Sequence, residues 1–222
     1  MPPPPRKTLP LRDAIEAFTK DGNIFEGDIG RPASSIVLSW QGTGLILKIG
    51  TGTKFPASSS TKIQLIGDKA KIEIGIGCSI KGTLRADRQS RLLIGDHTKI
   101  NRQSQIRAAE KGTISIGAGC LFSNVTIRNS DLHAIVDLAT GARINNSADI
   151  TLEERVWLGE DVYVYGGAYI GSGSIIGSRS LVKDPIPPNC VAVGTPAKTI
   201  RQGVTWHQSL SPAAWKASGL AG

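Results

Sequence analysis

From Leu152 to Val182 an aliphatic residue stands at every sixth position: Leu152, Leu158, Val164, Ile170, Ile176 and Val182. Four residues after each of the first five comes Val156, Val162, Ala168, Ser174 or Ser180, each small enough for a tight bend or a narrow interior. Gly159, Gly171 and Gly177 directly follow three of the aliphatics. Helices repeat near 3.6 residues and strands at 2, so neither produces a period of six alone. A coil with flat faces about six residues long, each turning one aliphatic inward, does produce it; that is a parallel β-helix.

Earlier segments repeat the signal less regularly. Ile66 and Ile72 share a phase, and Ile76-Gly77 stands eighteen residues before Ile94-Gly95, one turn of three faces. Ile94, Ile100 and Ile106 then run in phase, and Ile116-Gly117 with Phe122 resumes the pattern. Two breaks, 107–115 and 128–149, predict loops, because solenoids place insertions between coils. The repeat domain is expected over 45–201, with 128–149 as its loop insertion. At about 4.8 Å per coil this amounts to roughly eight coils and a rod of about 40 Å.

The ends depart from the repeat. Residues 1–44 read as an N-terminal extension that opens on a proline run, MPPPPRK, unable to enter a helix or a central strand. That run has no apolar core and is not a secretory signal. Leu11–Phe18 has helical spacing, and 34–50 alternates like one or two lead-in strands. The tail, 202–222, carries Trp206 and Trp215 and is expected to cover the open edge of the last coil. No run approaches the ~18 apolar residues of a membrane span. Twenty-six glycines and few aromatics fit one all-β unit. Three unpaired cysteines, Cys78, Cys120 and Cys190, read as buried fillers in a reducing compartment, the cytoplasm.

The formal charge of +8 admits nucleic acid, an anionic surface or a phosphorylated small molecule as partner. The basic residues are scattered and aromatics sparse, which disfavours nucleic acid. A small anionic ligand gathered near Lys183, Lys198 and Arg201 is the better expectation.

His133 is the residue best suited to catalysis. The chain has three histidines, and His133 alone lies inside the larger break. Imidazole is neutral near pH 7 and can take a proton as a hydroxyl attacks. Asp131, two residues earlier, points to the same side if the segment is extended and can then orient the imidazole. The alternative is a surface histidine beside a solvated aspartate. His97 and His207 read as surface histidines.

The repeat, the block NSDLHAIVDLATGARIN (129–145), the following VWLGEDVYVYGG and the closing VAVGTPAKTIR resemble the hexapeptide-repeat acyltransferases, in the branch that O-acetylates sugars and polysaccharide units. The resemblance covers about 60–201 and is most specific over 129–201. It implies a left-handed β-helix and a homotrimer with acetyl-CoA between subunits; handedness rests on the resemblance alone. It also places the family's catalytic histidine at His133 in the same D-x-H setting. The implied reaction is acetyl transfer to a saccharide hydroxyl. Transfer to the amine of an amino sugar or nucleotide sugar, or a non-catalytic scaffold, are the alternatives.

Further candidates follow. Asp137 and Arg143 bind an acceptor or brace the insertion by a salt bridge; Asn145 binds acceptor hydroxyls or caps the turn. For the coenzyme, Gly159, Gly166, Gly167 and Gly177 offer open backbone to a pantetheine arm, although coil corners need glycine too. Trp157 lines the cleft or fills a subunit contact. Lys183, Lys198 and Arg201 meet the phosphates or remain solvated. The resemblance adds Thr195 and Pro196, in the segment that closes over the adenine end. One departure is Tyr165, where the family commonly has lysine. No metal is expected: a zinc site like that of γ-type carbonic anhydrases needs three converging imidazoles, two of them close in sequence, whereas His97 and His133 are 36 residues apart and His207 lies beyond the repeat.

Overall fold

The computed structural model describes residues 5–27, 29, 36–56 and 61–217. Residues 1–4 of the proline run, residues 34 and 35 of the lead-in segment, and 218–222 of the tail lie outside them. The chain winds as a left-handed parallel β-helix of about seven turns. Its three faces are strand ladders. One contains 36–41, 61–66, 82–87, 104–108, 126–128, 163–165 and 181–182; the second runs from 24–27 to 169–170, and the third from 99–100 to 190–194.

The C-terminal turns follow the six-residue period directly. Leu152 pairs with Ile170 and Leu158 with Ile176, each eighteen residues on, and Val164 pairs with Val182. All six of the in-phase aliphatics are buried, as are Val156, Val162, Ala168, Ser174 and Ser180. Every backbone group in a parallel ladder needs a partner in the coil above or below, so uniform coil length keeps the whole stack in register.

The N-terminal turns are wider, and two sequence assignments there are corrected. Ile74, not Ile76, is the partner of Ile94, twenty residues on. Ile74 is buried and Ile76 is 50 % exposed. Ile66 lies on the outward side of its strand, behind the buried Ile63 and Leu65. Six-residue strands with two or three inward positions, joined by variable corners, dissolve the strict period. The break at 107–115 is no loop either. It is a tight turn at Glu110 and Lys111, both with positive φ (52° and 64°), between strands 104–108 and 113–116.

Parallel pairing begins before residue 45, since 24–27 joins 46–49 and 36–41 joins 61–66. The helix Leu11–Lys20 buries Leu11, Ala14 and Phe18, one stripe at helical spacing, and sets Phe18 edge-on against Trp40. Lys7–Pro10 adds an antiparallel edge to the first face. At the other end, Ala197–Gln202 folds antiparallel onto Cys190–Gly194 and covers the last strand of the third face. The tail then turns back over earlier coils. Trp206 donates its indole N–H to the Arg155 carbonyl (2.6 Å), and Lys99 reaches Gln208 (2.8 Å). Cys78, Cys120 and Cys190 are free and buried, and burial pushes the Cys120 thiol up to about 12. No helix among the described residues is long and apolar enough to cross a membrane.

Candidate active site

The 129–149 insertion leaves the solenoid between a strand of the first face, 126–128, and one of the second, 150–152. Its root is pinned by Asn129. This buried side chain accepts from the Ala109 amide (2.8 Å) and donates to the Ala109 carbonyl (3.0 Å), mimicking one more backbone rung. Beyond that root the loop holds itself together through polar side chains.

Glu110 is the anchor. Arg143 donates to both of its carboxylate oxygens (2.7 and 2.9 Å), and Ser130 donates to it as well. Arg143, first, and Ser130 hold the Glu110 carboxyl down to about 2. Arg143 also donates to the carbonyl (3.0 Å) and side-chain oxygen (3.2 Å) of Asn145. Asn145 spans the loop, accepting from the Ile135 amide (2.7 Å) and donating to the His133 carbonyl (2.8 Å) and the Asp131 carboxylate (3.0 Å). Asp137 closes the tip by accepting from the Ala139 and Thr140 amides and the Thr140 hydroxyl. These bonds, led by the Thr140 amide, lower its pKa.

The network separates the candidates by role. Asp137, Arg143 and Asn145 are engaged within the loop, so the bracing alternative describes their contacts. Asp131 is engaged too, by Asn145. The extended D-x-H geometry does not form, because Leu132 adopts φ 64° and turns the chain between Asp131 and His133. The His133 side chain is exposed, held by its own backbone rather than by a carboxylate. Glu110 was missed in the sequence. It sits in the shorter break, and only the winding of one further coil brings it under Arg143.

The coenzyme candidates lie elsewhere. Trp157 is 39 % exposed on the third face, with its ring 6.0 Å from that of Trp206. Both tryptophans, with Ile175, Val191, Leu210 and Trp215, line a largely apolar cavity of about 550 Å³ under the tail. Thr195 and Pro196 form the turn of the terminal hairpin. Lys198 pairs with Asp184 (3.2 Å), next to the exposed Lys183, while Arg201 is exposed opposite Val191. The glycines divide. A Cβ on Gly159 would stand 2.8 Å from the Ser178 amide nitrogen, one on Gly166 2.8 Å from the Asn129 carbonyl, and one on Gly177 2.6 Å from Val193. Coil packing alone requires those three. Gly167 differs: its φ of 86° is what favours glycine there, and a Cβ would meet only Ala148 at an ordinary 3.8 Å.

Residues 149–184 match the family model described as bacterial transferase hexapeptide (six repeats). Over that segment the chain is similar to the hexapeptide-repeat transferases. The chain is 37 % identical over 139 residues to a polysialic acid O-acetyltransferase of Escherichia coli O1:K1 / APEC, covering 62 % of this chain and 45 % of that protein. It is 33 % identical over 108 residues to a polysialic acid O-acetyltransferase of Neisseria meningitidis, covering 45 % of this chain and 47 % of that one. The chain thus spans about half the length of the curated relatives it matches. The crystal structure of a polySia-specific acetyltransferase superposes with a TM-score of 0.75 at 28 % identity, covering 89 % of this chain and 94 % of the other. A crystallographic polysialic acid O-acetyltransferase gives 0.69 at 25 % identity, covering 86 % and 92 %.

Proposed function

We propose that this hexapeptide-repeat transferase moves an acetyl group from acetyl-CoA to a hydroxyl of a sialic acid-type polysaccharide, with His133 as general base. The observation that carries the reading is the loop itself. Glu110, Arg143 and Asn145 brace a segment from which the imidazole of His133 projects exposed and unpaired. That pattern serves presentation of a side chain, not burial. The similarity to two polysialic acid O-acetyltransferases supports the substrate class.

In the proposed reaction the acceptor hydroxyl gives its proton to His133 as its oxygen attacks the thioester carbonyl. The tetrahedral intermediate collapses with cleavage of the C–S bond, the proton passes to the leaving sulfur, and free CoA departs. Asp131 acts here through Asn145, steadying the loop that carries the imidazole. Trp157 and the apolar cavity beside it suit the pantetheine arm; Lys183, Lys198 and Arg201, with the turn at Thr195 and Pro196, suit the nucleotide end.

The same proposal includes a homotrimer. Leu138 is 99 % exposed and Ile144 64 %, and Ile135 and Val136 are also bare. An apolar loop tip of this kind calls for cover, and a neighbouring rod supplies both that cover and the second wall of a cleft. A cytoplasmic location completes the reading, supported by three free cysteines.

The test is release of CoA thiol from acetyl-CoA with oligosialic acid as acceptor. His133→Ala is expected to lower the rate by about 10²–10⁴ with acetyl-CoA binding retained. A rate within threefold of the parent protein removes His133 as the base.

A further inference from the structure

The first face carries an arginine ladder. Arg85 pairs in register with Arg107, Arg107 with Arg128, and Arg128 with Tyr165. All four side chains point outward, since the residues alternating with them (Leu84, Ile106, Ile127 and Val164) are buried. Like charges directly opposite one another on adjacent strands are destabilising. One carboxylate offsets part of this. Asp87 accepts from Arg85 (2.7 Å) and from both Nε (2.8 Å) and a terminal nitrogen (2.7 Å) of Arg107.

Arg128 has no such relief. No carboxylate among the described residues pairs with it, and its Nε is buried without a hydrogen-bond partner. Its guanidinium lies over the Tyr165 ring, 4.6 Å from the centroid. Tyr165 in turn meets Tyr163 edge-on at 6.3 Å, and Tyr163 is exposed. A buried unpaired donor is costly, and a cation stacked on a tyrosine keeps its fork free for another anion. Arg128 also immediately precedes Asn129, the root of the loop that presents His133. A ligand along this ladder therefore runs up to the base of that loop.

We propose that the ladder is the binding track for the acceptor, a linear saccharide bearing one carboxylate per residue, with Arg128 as the residue that reads that charge. The proposal rests on the acetyltransferase reading above and adds to it where the polymer lies. Rungs about 4.8 Å apart put three guanidinium groups and a tyrosine on a line about 14 Å long, which suits an extended polyanion. The Tyr163 and Tyr165 rings offer flat apolar surface to sugar rings. Scattered surface lysines would attract anions without order. Planar forks in register select carboxylates at a regular spacing.

Direct binding tests this without acetyl-CoA. Fluorescently labelled oligosialic acid of about eight residues is titrated into the 222-residue chain and into Arg128→Gln, Tyr165→Leu and Lys71→Gln. Arg128→Gln is expected to raise Kd about tenfold or more, Tyr165→Leu about threefold, and Lys71→Gln, on the second face, not at all. The carboxyl-reduced oligomer should bind weakly and equally to all four proteins. Added salt should weaken the parent protein more than Arg128→Gln. An unchanged Kd for Arg128→Gln in a variant that melts like the parent overturns the proposal. So does equal binding of the reduced oligomer to the parent, or equally tight binding of RNA. A smaller sedimenting species for Arg128→Gln without saccharide would assign the ladder to a subunit contact instead and also overturn it. If transfer fails on every saccharide while Arg128-dependent binding stands, the catalytic reading falls and the track remains. If transfer stands and binding ignores Arg128, the track alone falls.

Discussion

The regular coils from Leu152 to Val182 and the loop from Asn129 to Asp149 are neighbours in sequence and opposites in construction. In the coils the aliphatic at every sixth position is buried, and the short strands that carry these aliphatics pair in register with adjacent turns. In the loop the apolar residues Ile135, Leu138 and Ile144 are exposed, and order comes from Glu110, Arg143 and Asn145. The coils draw stability from cumulative burial, which is redundant and tolerant of variation. The loop draws it from a few directional bonds, which set a shape but tolerate little change. The catalytic role proposed for His133 would draw on both, a stable frame and a shaped loop.

The sharpest break of this comparison is His133→Ala. It should cost about 10²–10⁴ in transfer rate while leaving the thermal midpoint unmoved, because the side chain supports nothing. The reverse case is Phe122→Ala in the solenoid. This side chain is fully buried, and its loss should cost about 3–5 kcal/mol of global stability, read by denaturant unfolding, with the loop retained in whatever remains folded. Glu110→Gln lies between the two. It removes the charge from a bidentate pair, so transfer should fall about tenfold and proteolysis within 131–144 should quicken, with little change in global melting. Equal loss of activity and melting temperature would show that the loop and solenoid unfold as one unit.

The same pair predicts a pH dependence. The Glu110 carboxyl is held near 2 in the folded loop against an ordinary 4.5, so its contribution is fully present above about 4.5. It should be lost progressively as pH falls from there towards 2, when the folded carboxyl itself protonates. Amide exchange in the loop should therefore rise across that window before exchange in the solenoid does. The smallest expected effect is Ile176→Val, about 0.5–1.5 kcal/mol, since one methylene lost from a narrow stack leaves a small void.

Legibility in the sequence followed the same division. The C-terminal coils were readable because each contributes eighteen residues and one inward aliphatic per face, so spacing in the chain equals spacing in space. Ile76 misled for the opposite reason. In the wider N-terminal coils two aliphatics alternate within one strand, and only pairing with Ile94 shows that Ile74 is the inward one. His133 was identifiable as the one histidine inside the large break. Its supposed contact with Asp131 was not, because the positive φ of Leu132 cannot be read from a leucine.

The sequence by itself determined the solenoid, the place of the insertion and the loop histidine. Hydrophobic period and interruption are local properties, written in consecutive residues. Only the tertiary structure decided that Glu110 anchors Arg143, that the tail returns to Arg155, and that Arg85, Arg107 and Arg128 align. Those juxtapositions join residues twenty to fifty positions apart. They depend on the length of each intervening coil, a quantity that varies from turn to turn and is settled only when every strand has found its backbone partner.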